Sequence, residues 1–385
     1  MSESSQRQAG RYMDHAATAP PLACALKAQA HAAATWFANP SSPHMPGQSA
    51  REALGRLRKD MARHCGASGG RLVLMSGATE ANNWVIRGVL DSKPDARVLV
   101  TPDAHASMWN ACSRFKSRMD VLPLDPMGHI RIADLAARLA KDTVLFCCPH
   151  VASETGVVHD LGALSALCER RGVRFLADGA QALGHVPVDL SSAACDFYVF
   201  SAHKFGGPRG CGGVFVGSAG VPPLLDGGEQ EWGLRPGTEN LPALAGAVAA
   251  LEEALSELQD ESGRLRALTR TILDAVRVSH LPAEVNGDAE QGRPGLLSLS
   301  FTGIDGRALV ADLAIQGFAV GSGSACSSDR PEPSRAILAL GRSQEAALGT
   351  LRISFGRVNR REDAEALAQA LVETGRRLQT GGSGA

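Results

Sequence analysis

Short apolar runs bounded by Gly, Ser, Asp and Pro alternate along this chain with longer stretches whose apolar residues recur every three or four positions. Runs at 72–75, 97–101, 143–148, 173–177, 197–200 and 213–216 predict strands. Helical patterns fall at 49–64, 78–90, 132–140, 161–170 and 241–259. Strands that alternate with helices predict an α/β fold with a mostly parallel sheet covered on both faces. In such sheets, ligand groups gather in the loops at the carboxyl ends of the strands.

Beyond residue 260 the pattern changes. A helical stretch runs to about 280, followed by LLSLSF (296–301), a helical pattern at 308–316, LRISF (351–355) and a final helix at 364–377. This predicts a smaller C-terminal α/β domain. The division is a large domain over 16–260 and a small one over 261–380, with segment 1–15 joining the small one. The first ten residues and the final GGSGA read as disordered ends.

Composition narrows the function. The 385 residues carry 39 Lys+Arg and 40 Asp+Glu, a formal net charge of −1. That balance leaves no electrostatic footprint for nucleic acid or an anionic membrane. Aromatic residues at 4% argue against a base-stacking surface. Nine cysteines occur without a CxxC pair, which removes the usual zinc and thioredoxin-like patterns and predicts no metal site. The N-terminus lacks the apolar core of a secretory leader, and no apolar run is long enough to span a bilayer. The expectation is a reduced, cytoplasmic protein.

Three segments carry chemistry. SGATEANN (76–83) follows a strand and opens a helix, so Gly77, Ala78 and Thr79 offer free N–H groups and a hydroxyl to a phosphate. An ordinary helix cap uses the same residues. In FLADGAQALGH (175–185), Asp178 sits just past a strand, where a carboxylate needs a partner: a helix terminus, a cation or a protonated ring nitrogen. Gln181 lies one turn on and reaches the same ligand. In DFYVFSAHKFGGPRGCGGVFV (196–216), Lys204 follows an apolar strand and precedes a glycine-rich turn, where desolvation makes a lysine a better nucleophile. Ser201 and His203 supply donors beside it. A phosphate cup, an acid after one strand and a lysine after the next are the parts of a pyridoxal 5'-phosphate site.

Nine segments in order then resemble one family. They are YMDHAATAP, NPSSPH, SGATEANN, HVASETGVVHDL, ADGAQALGHVPVDL, SAHKFGGPRG, RPGTEN, GSGSACSS and LRISFGR, running from residue 12 to residue 357. The chain resembles the class V, fold-type I pyridoxal-phosphate enzymes, and within them the NifS/IscS-like cysteine desulfurases. The resemblance implies a seven-stranded, mostly parallel sheet between helices, a homodimer, and removal of sulfur from L-cysteine to give L-alanine and a persulfide on Cys326. A sulfur-acceptor or scaffold protein, in iron–sulfur assembly or thiolation, would then take the persulfide.

The resemblance also assigns roles. Lys204 would hold the cofactor, Asp178 would pair with the pyridine nitrogen, and Gln181 with the ring hydroxyl. Ala78, Thr79, Ser201 and His203 would bind the phosphate, with Thr238 arriving from the other subunit. His105 would stack on the ring and handle protons. Arg352 would clamp the substrate carboxylate, a bidentate task suited to a guanidinium, and Asn39 would assist. Cys326, in a run of Gly and Ser, would be the mobile thiol, and the loop length resembles the long-loop group. Two departures stand out. Where the family has HVNNEIG this chain has HVASETG, placing Ser153 at a cofactor- and substrate-contacting asparagine. The GGEQEWGLRPGT segment lacks the family's His near Gln230. Alternatives are a selenocysteine lyase or related C–S lyase, and a partner-dependent sulfur-transfer subunit with low intrinsic activity.

Overall fold

The computed structural model describes residues 11–67, 69–193, 195–217, 220–323 and 332–381. Seven strands form the main sheet: β1 (Arg71–Met75), β2 (Arg97–Val100), β3 (Met119–Val121), β4 (Thr143–Pro149), β5 (Arg174–Asp178), β6 (Phe197–Ser201) and β7 (Gly212–Val216). Their order is β1-β7-β6-β5-β4-β2-β3. Neighbours pair in parallel except β7, which runs antiparallel to both β1 and β6.

The sheet is buried on both faces, as expected for strands that read as continuous apolar runs. Leu72, Leu74, Phe146, Phe175, Tyr198 and Phe200 pack on one side with helices Ala23–Thr35, Met45–His64, Leu161–Arg171 and Leu241–Ser256. Val73, Val98, Leu145, Leu176 and Val214 pack on the other, with helices Ala78–Asp91 and Ala106–Ser113. Phe146 and Phe175 stack with centroids 5.3 Å apart. Truncating either to alanine is worth about 3–5 kcal/mol at such a site.

A second sheet has four antiparallel strands in the order β10-β11-β9-β8: β8 (Ala283–Val285), β9 (Leu296–Phe301), β10 (Gly321–Ser322) and β11 (Thr350–Ser354). Helices Leu258–Ser279, Gly306–Ile315 and Arg361–Gly381 cover it around a separate core of Leu297, Leu299, Phe301, Leu351, Ile353 and Leu371. The N-terminal segment joins this core. Met13 is buried in it, and the N–H of Ser354 donates to the carbonyl of Met13 at 2.8 Å.

The sequence pattern differs from the structure in definite places. The run 241–259 is two helices, broken at Glu257, whose φ −109° and ψ 3° are not helical. Helix Ala23–Thr35 has no predicted counterpart. Its buried residues are Ala25 and Ala32, so it packs through small side chains and shows no stripe of large apolar ones. β3 is a three-residue edge strand, too short to register as a run. No helix among the described residues is long and apolar enough to cross a membrane.

Candidate active site

β4, β5 and β6 end side by side, and the residues that follow them line one cavity of about 470 Å³. β5 ends on Asp178. β6 ends on Ser201 and runs into one turn of 3-10 helix, Ala202–Lys204. On the other side stands the N-terminus of helix Ala78–Asp91, with Ser76, Gly77, Ala78 and Thr79 in the wall. Two glycines allow this approach. A Cβ on Gly212 would lie 2.6 Å from the Gly77 Cα, and one on Gly77 would lie 3.2 Å from Ser201 Oγ. Only at this backbone separation does the helix N-terminus of one segment reach the hydroxyl of the other.

Asp178 is buried, and both carboxylate oxygens already accept a bond. Oδ2 accepts from Asn82 Nδ2 at 2.8 Å, and Oδ1 from the N–H of Ala180 at 3.0 Å. Asn82 also donates to Ser107 Oγ at 3.0 Å. His105 Nδ1 accepts from the N–H of Ser107 at 3.2 Å, capping helix Ala106–Ser113, and lies 2.9 Å from Ser107 Oγ. A backbone N–H cannot reverse its role, so Nδ1 is an acceptor and the proton of the neutral ring sits on Nε2. Burial pushes the His105 pKa down, and the nearby Lys204, Arg352 and Arg335 add to that, while Asp178 opposes it. Asn82 and Ser107 thus tie the acid to the histidine. Sequence reasoning named neither in this role, because their meeting depends on packing between residues 25 positions apart.

Lys204 Nζ donates to the carbonyls of Ala16 and Ala17 at 2.7 and 2.9 Å. Burial first, then the charges of Arg352 and Arg293, bring its pKa down to about 8, against the pull of Asp178 and Asp14. His203 Nδ1 meets Thr18 Oγ1 at 3.0 Å. Burial, then Lys204 and Arg209, lower its pKa to about 4, so the ring is neutral at pH 7. Arg209, inside SAHKFGGPRG but given no role there, lines the cavity as well.

Glu80 fixes the cup from behind. It accepts the N–H of Ser76 at 2.7 Å and Arg235 Nε at 3.0 Å. Burial raises this carboxyl, but the bonds from Arg235 and Ser76 outweigh it and hold the pKa below the ordinary value. Arg235 thereby docks the RPGT loop next to the cup. Thr238 of that loop is exposed and does not line the cavity of its own chain.

The hairpin 150–159 forms a further wall. Ala152 and Val157 pair, and Ser153 faces the cavity. Arg352, on β11 of the small sheet, donates to the Ser153 carbonyl at 3.0 Å and to Asp14 Oδ1 at 2.9 Å. Its Nε is buried without a partner. Gln181 lines the cavity and donates to the Ala16 carbonyl at 2.7 Å. Asn39 is exposed, with Oδ1 accepting from the N–H of Ser41 at 2.9 Å, and is not brought to the cavity of this chain.

Cys326 lies outside the described residues, but the chain on either side of that gap is described. On the near side, a Cβ on Gly321 would lie 3.2 Å from Arg352 Nη2. On the far side, Ser334 donates to Glu154, and Arg335 donates to the carbonyls of Pro102 and Ala104, each at 2.7 Å. Both flanks therefore abut the wall that holds His105, Ser153 and Arg352. The eight other cysteines are free thiols, and none lines the cavity. Burial pushes Cys65, Cys168 and Cys211 up to about 12, and raises Cys147 and Cys148 well above the ordinary thiol.

The donor set fits a pyridoxal phosphate. A helix N-terminus with Thr79, Ser201 and His203 suits a phosphate group. Asp178 retains free lone pairs for a ring N–H. Lys204 stands in the same cavity with a lowered proton affinity.

Comparison with known proteins places most of the chain within one family. The family described as Aminotransferase class-V matches residues 11–367. The cysteine desulfurase IscS of Enterobacter sp. (strain 638) is 33% identical over 365 residues, covering 92% of this chain and 90% of its own. That of Methanosarcina thermophila is 29% identical over 374 residues, covering 96% and 92%. A solved NifS-like protein superposes with a TM-score of 0.86 at 26% identity, covering 94% of this chain and 98% of its own. DndA from Streptomyces lividans gives a TM-score of 0.74 at 28% identity, covering 87% and 98%.

Proposed function

The chain belongs to the class-V aminotransferase family, and from that premise we propose that it is a pyridoxal-phosphate-dependent cysteine desulfurase. It removes sulfur from L-cysteine, leaves a persulfide on Cys326 and releases L-alanine. The observation that carries this reading is the convergence of Lys204, Asp178 and the 76–79 cup on one cavity. The cysteine desulfurase relatives, similar over nine-tenths of the chain, support the substrate.

When bound, pyridoxal phosphate supplies an electron sink for the substrate's α-carbon. The chain's own residues do the rest. Thr79, Ser201, His203 and the amides at Gly77 and Ala78 would hold the phosphate. Asp178 would accept the ring N–H, and Gln181 would serve the ring hydroxyl. Lys204 offers its amine and holds protons at Nζ, which a pKa of about 8 makes feasible near neutrality. His105, which lines the cavity, would stack on the ring with Nε2–H free to handle protons. Arg352, with Nε unpartnered, receives the substrate carboxylate. Ser153 stands where the substrate amine and carboxylate pass.

The sulfur step balances on Cys326. Its thiolate attacks the substrate sulfur, a sulfur–sulfur bond forms and the carbon–sulfur bond breaks. The carbon then takes up a proton and becomes the methyl of alanine. We further propose a homodimer, with Thr238 serving the partner's site, and a large cofactor unit (16–260) joined to a small one (261–380) that includes segment 1–15. A protein acceptor and a reducing, cytoplasmic setting complete the reading, supported by eight free thiols among the described residues. The test is stoichiometric: L-cysteine plus a reductant should yield alanine and sulfide in equal amounts. Alanine without sulfide, or neither product, would reject the reading.

A further inference from the structure

Arg293 lies in the loop before β9, and only 3% of its surface is exposed. Its backbone N–H donates to the Gly156 carbonyl at 2.8 Å. The guanidinium donates to Gln181 Oε1 and lies 3.0 Å from His185 Nε2. His185 Nε2 in turn lies 2.9 Å from the Lys204 carbonyl. None of these partners is an acid, and among the described residues Arg293 has no salt bridge. Its Nε has no partner at all.

A buried cation normally finds a carboxylate. Arg352 illustrates this, with Asp14 at 2.9 Å. Arg293 is the opposite case: it is buried and no carboxylate pairs with it among the described residues. Low local dielectric makes such a charge felt strongly by its neighbours. The titratable groups around it are basic: Arg352, which after burial helps to lower Arg293 itself to about 9, His15 and His185, whose rings burial and Arg293 hold deprotonated, and Lys204. Lys204 faces Asp178 and Asp14, which favour its proton, and Arg352 and Arg293, which disfavour it. His105 and His203 stand nearby with lowered proton affinity.

We propose that Arg293 is the positioning residue that sets the reactivity of Lys204. Its uncompensated charge disfavours the ammonium form, while its contacts to Gln181 and His185 fix the turn that carries the lysine. Arg352 disfavours it as well, with Asp14 paired to its guanidinium, whereas Arg293 has no such acid. A neutral amine is the nucleophile, so Arg293 keeps Lys204 competent near pH 7. This rests on the reading of Lys204 as the cofactor lysine.

The test measures the lysine itself. The full chain, freed of cofactor with hydroxylamine, is labelled with trace acetic anhydride between pH 6 and 11. The amine attacks an acyl carbon, acetate leaves and a proton passes to solvent, so the rate follows the neutral fraction. Peptide mass spectrometry reads Lys204 alone. In the wild type, the Lys204 midpoint is expected near pH 8. Arg293→Met keeps the volume without the charge, and Arg293→Gln keeps a donor for Gln181. Each should raise the midpoint by about one pH unit, slowing Lys204 labelling near pH 7 roughly tenfold. A low midpoint that both variants leave in place would overturn the role of Arg293 alone. A wild-type Lys204 that labels like a surface lysine would instead sink the reading of Lys204. Loss of the fold in both variants would also count against the proposal, since it would make Arg293 a packing group.

Discussion

Asn82 donates its side-chain amide to Asp178 Oδ2 at 2.8 Å, with both side chains buried. The same amide donates to Ser107 Oγ, two residues from His105. The acid and the histidine are therefore set by one amide on helix Ala78–Asp91, whose N-terminus also lines the cavity. Asn82→Ala leaves two buried acceptors without a donor and should cost about 1–3 kcal/mol in chemical denaturation. Asn82→Asp sets a second carboxylate against Asp178 and should weaken retention of pyridoxal phosphate at least about tenfold. Equilibrium dialysis checks the second effect, and unchanged retention would remove Asp178 from the ring nitrogen.

Borohydride should fix the cofactor onto the peptide that contains Lys204. Peptide mass spectrometry of the wild type is expected to find the added mass there, and Lys204→Ala should carry none. Label on any other lysine would move the cofactor site.

Cys326→Ser should keep the cofactor's visible band and lose alanine production to background. Cys65, Cys147, Cys148, Cys168 and Cys211 lie away from the cavity and burial raises each thiol, so none substitutes for it. Turnover retained in the serine variant would favour a lyase that does not pass sulfur through this residue.

Ser153→Asn tests the first departure from the family pattern. The carbonyl of Ser153 is held by Arg352, so the backbone stays fixed while the side chain gains an amide. The KM for L-cysteine is expected to fall severalfold with kcat changing less. A rise in KM would mean that the cavity is built around the shorter side chain.

Glu154 gives a stability prediction. Burial raises its pKa from 4.5 to about 6, against the bond from Ser334 and the charges of Arg352 and Arg335. A carboxyl raised on folding stabilises below the unfolded value, and that contribution is lost as pH rises through the folded one. Between pH 4.5 and 6 it therefore subtracts roughly 2 kcal/mol in all. Glu154→Gln should erase that part of the profile, so its thermal midpoint relative to wild type rises from pH 4.5 to pH 7. A parallel profile in the two proteins would contradict the buried, raised carboxyl.

Much of the site lies open to reading because the chemistry follows strands. Asp178 ends β5 and Lys204 follows β6, and both are marked by the apolar runs before them. The cup at 76–79 is marked the same way by β1. What escapes the pattern is what tertiary packing alone decides. Arg293 sits in a loop after a Gly and before a Pro, a polar residue in a polar stretch, and only the lobe–lobe contact with Gln181 gives it meaning. Asn82 and Ser107 look like ordinary helix residues. Helix Ala23–Thr35 escapes for a related reason: an alanine face packs closely against helix Leu241–Ser256 without the large side chains that periodicity detects.

The antiparallel strand β7 has a temporal consequence. β1 is made early, yet its partner in the sheet is a strand about 140 residues further on, and Gly77 rests against Gly212. A ribosome-bound chain that has not yet emitted residues 212–216 has β1 without its sheet neighbour and the cup without its opposite wall. Such long-range closure is slow and exposes apolar edges while it waits. The cavity is thus complete only late in synthesis, and a fragment that ends before β7 lacks the partner of β1 and the backbone against which Gly77 rests.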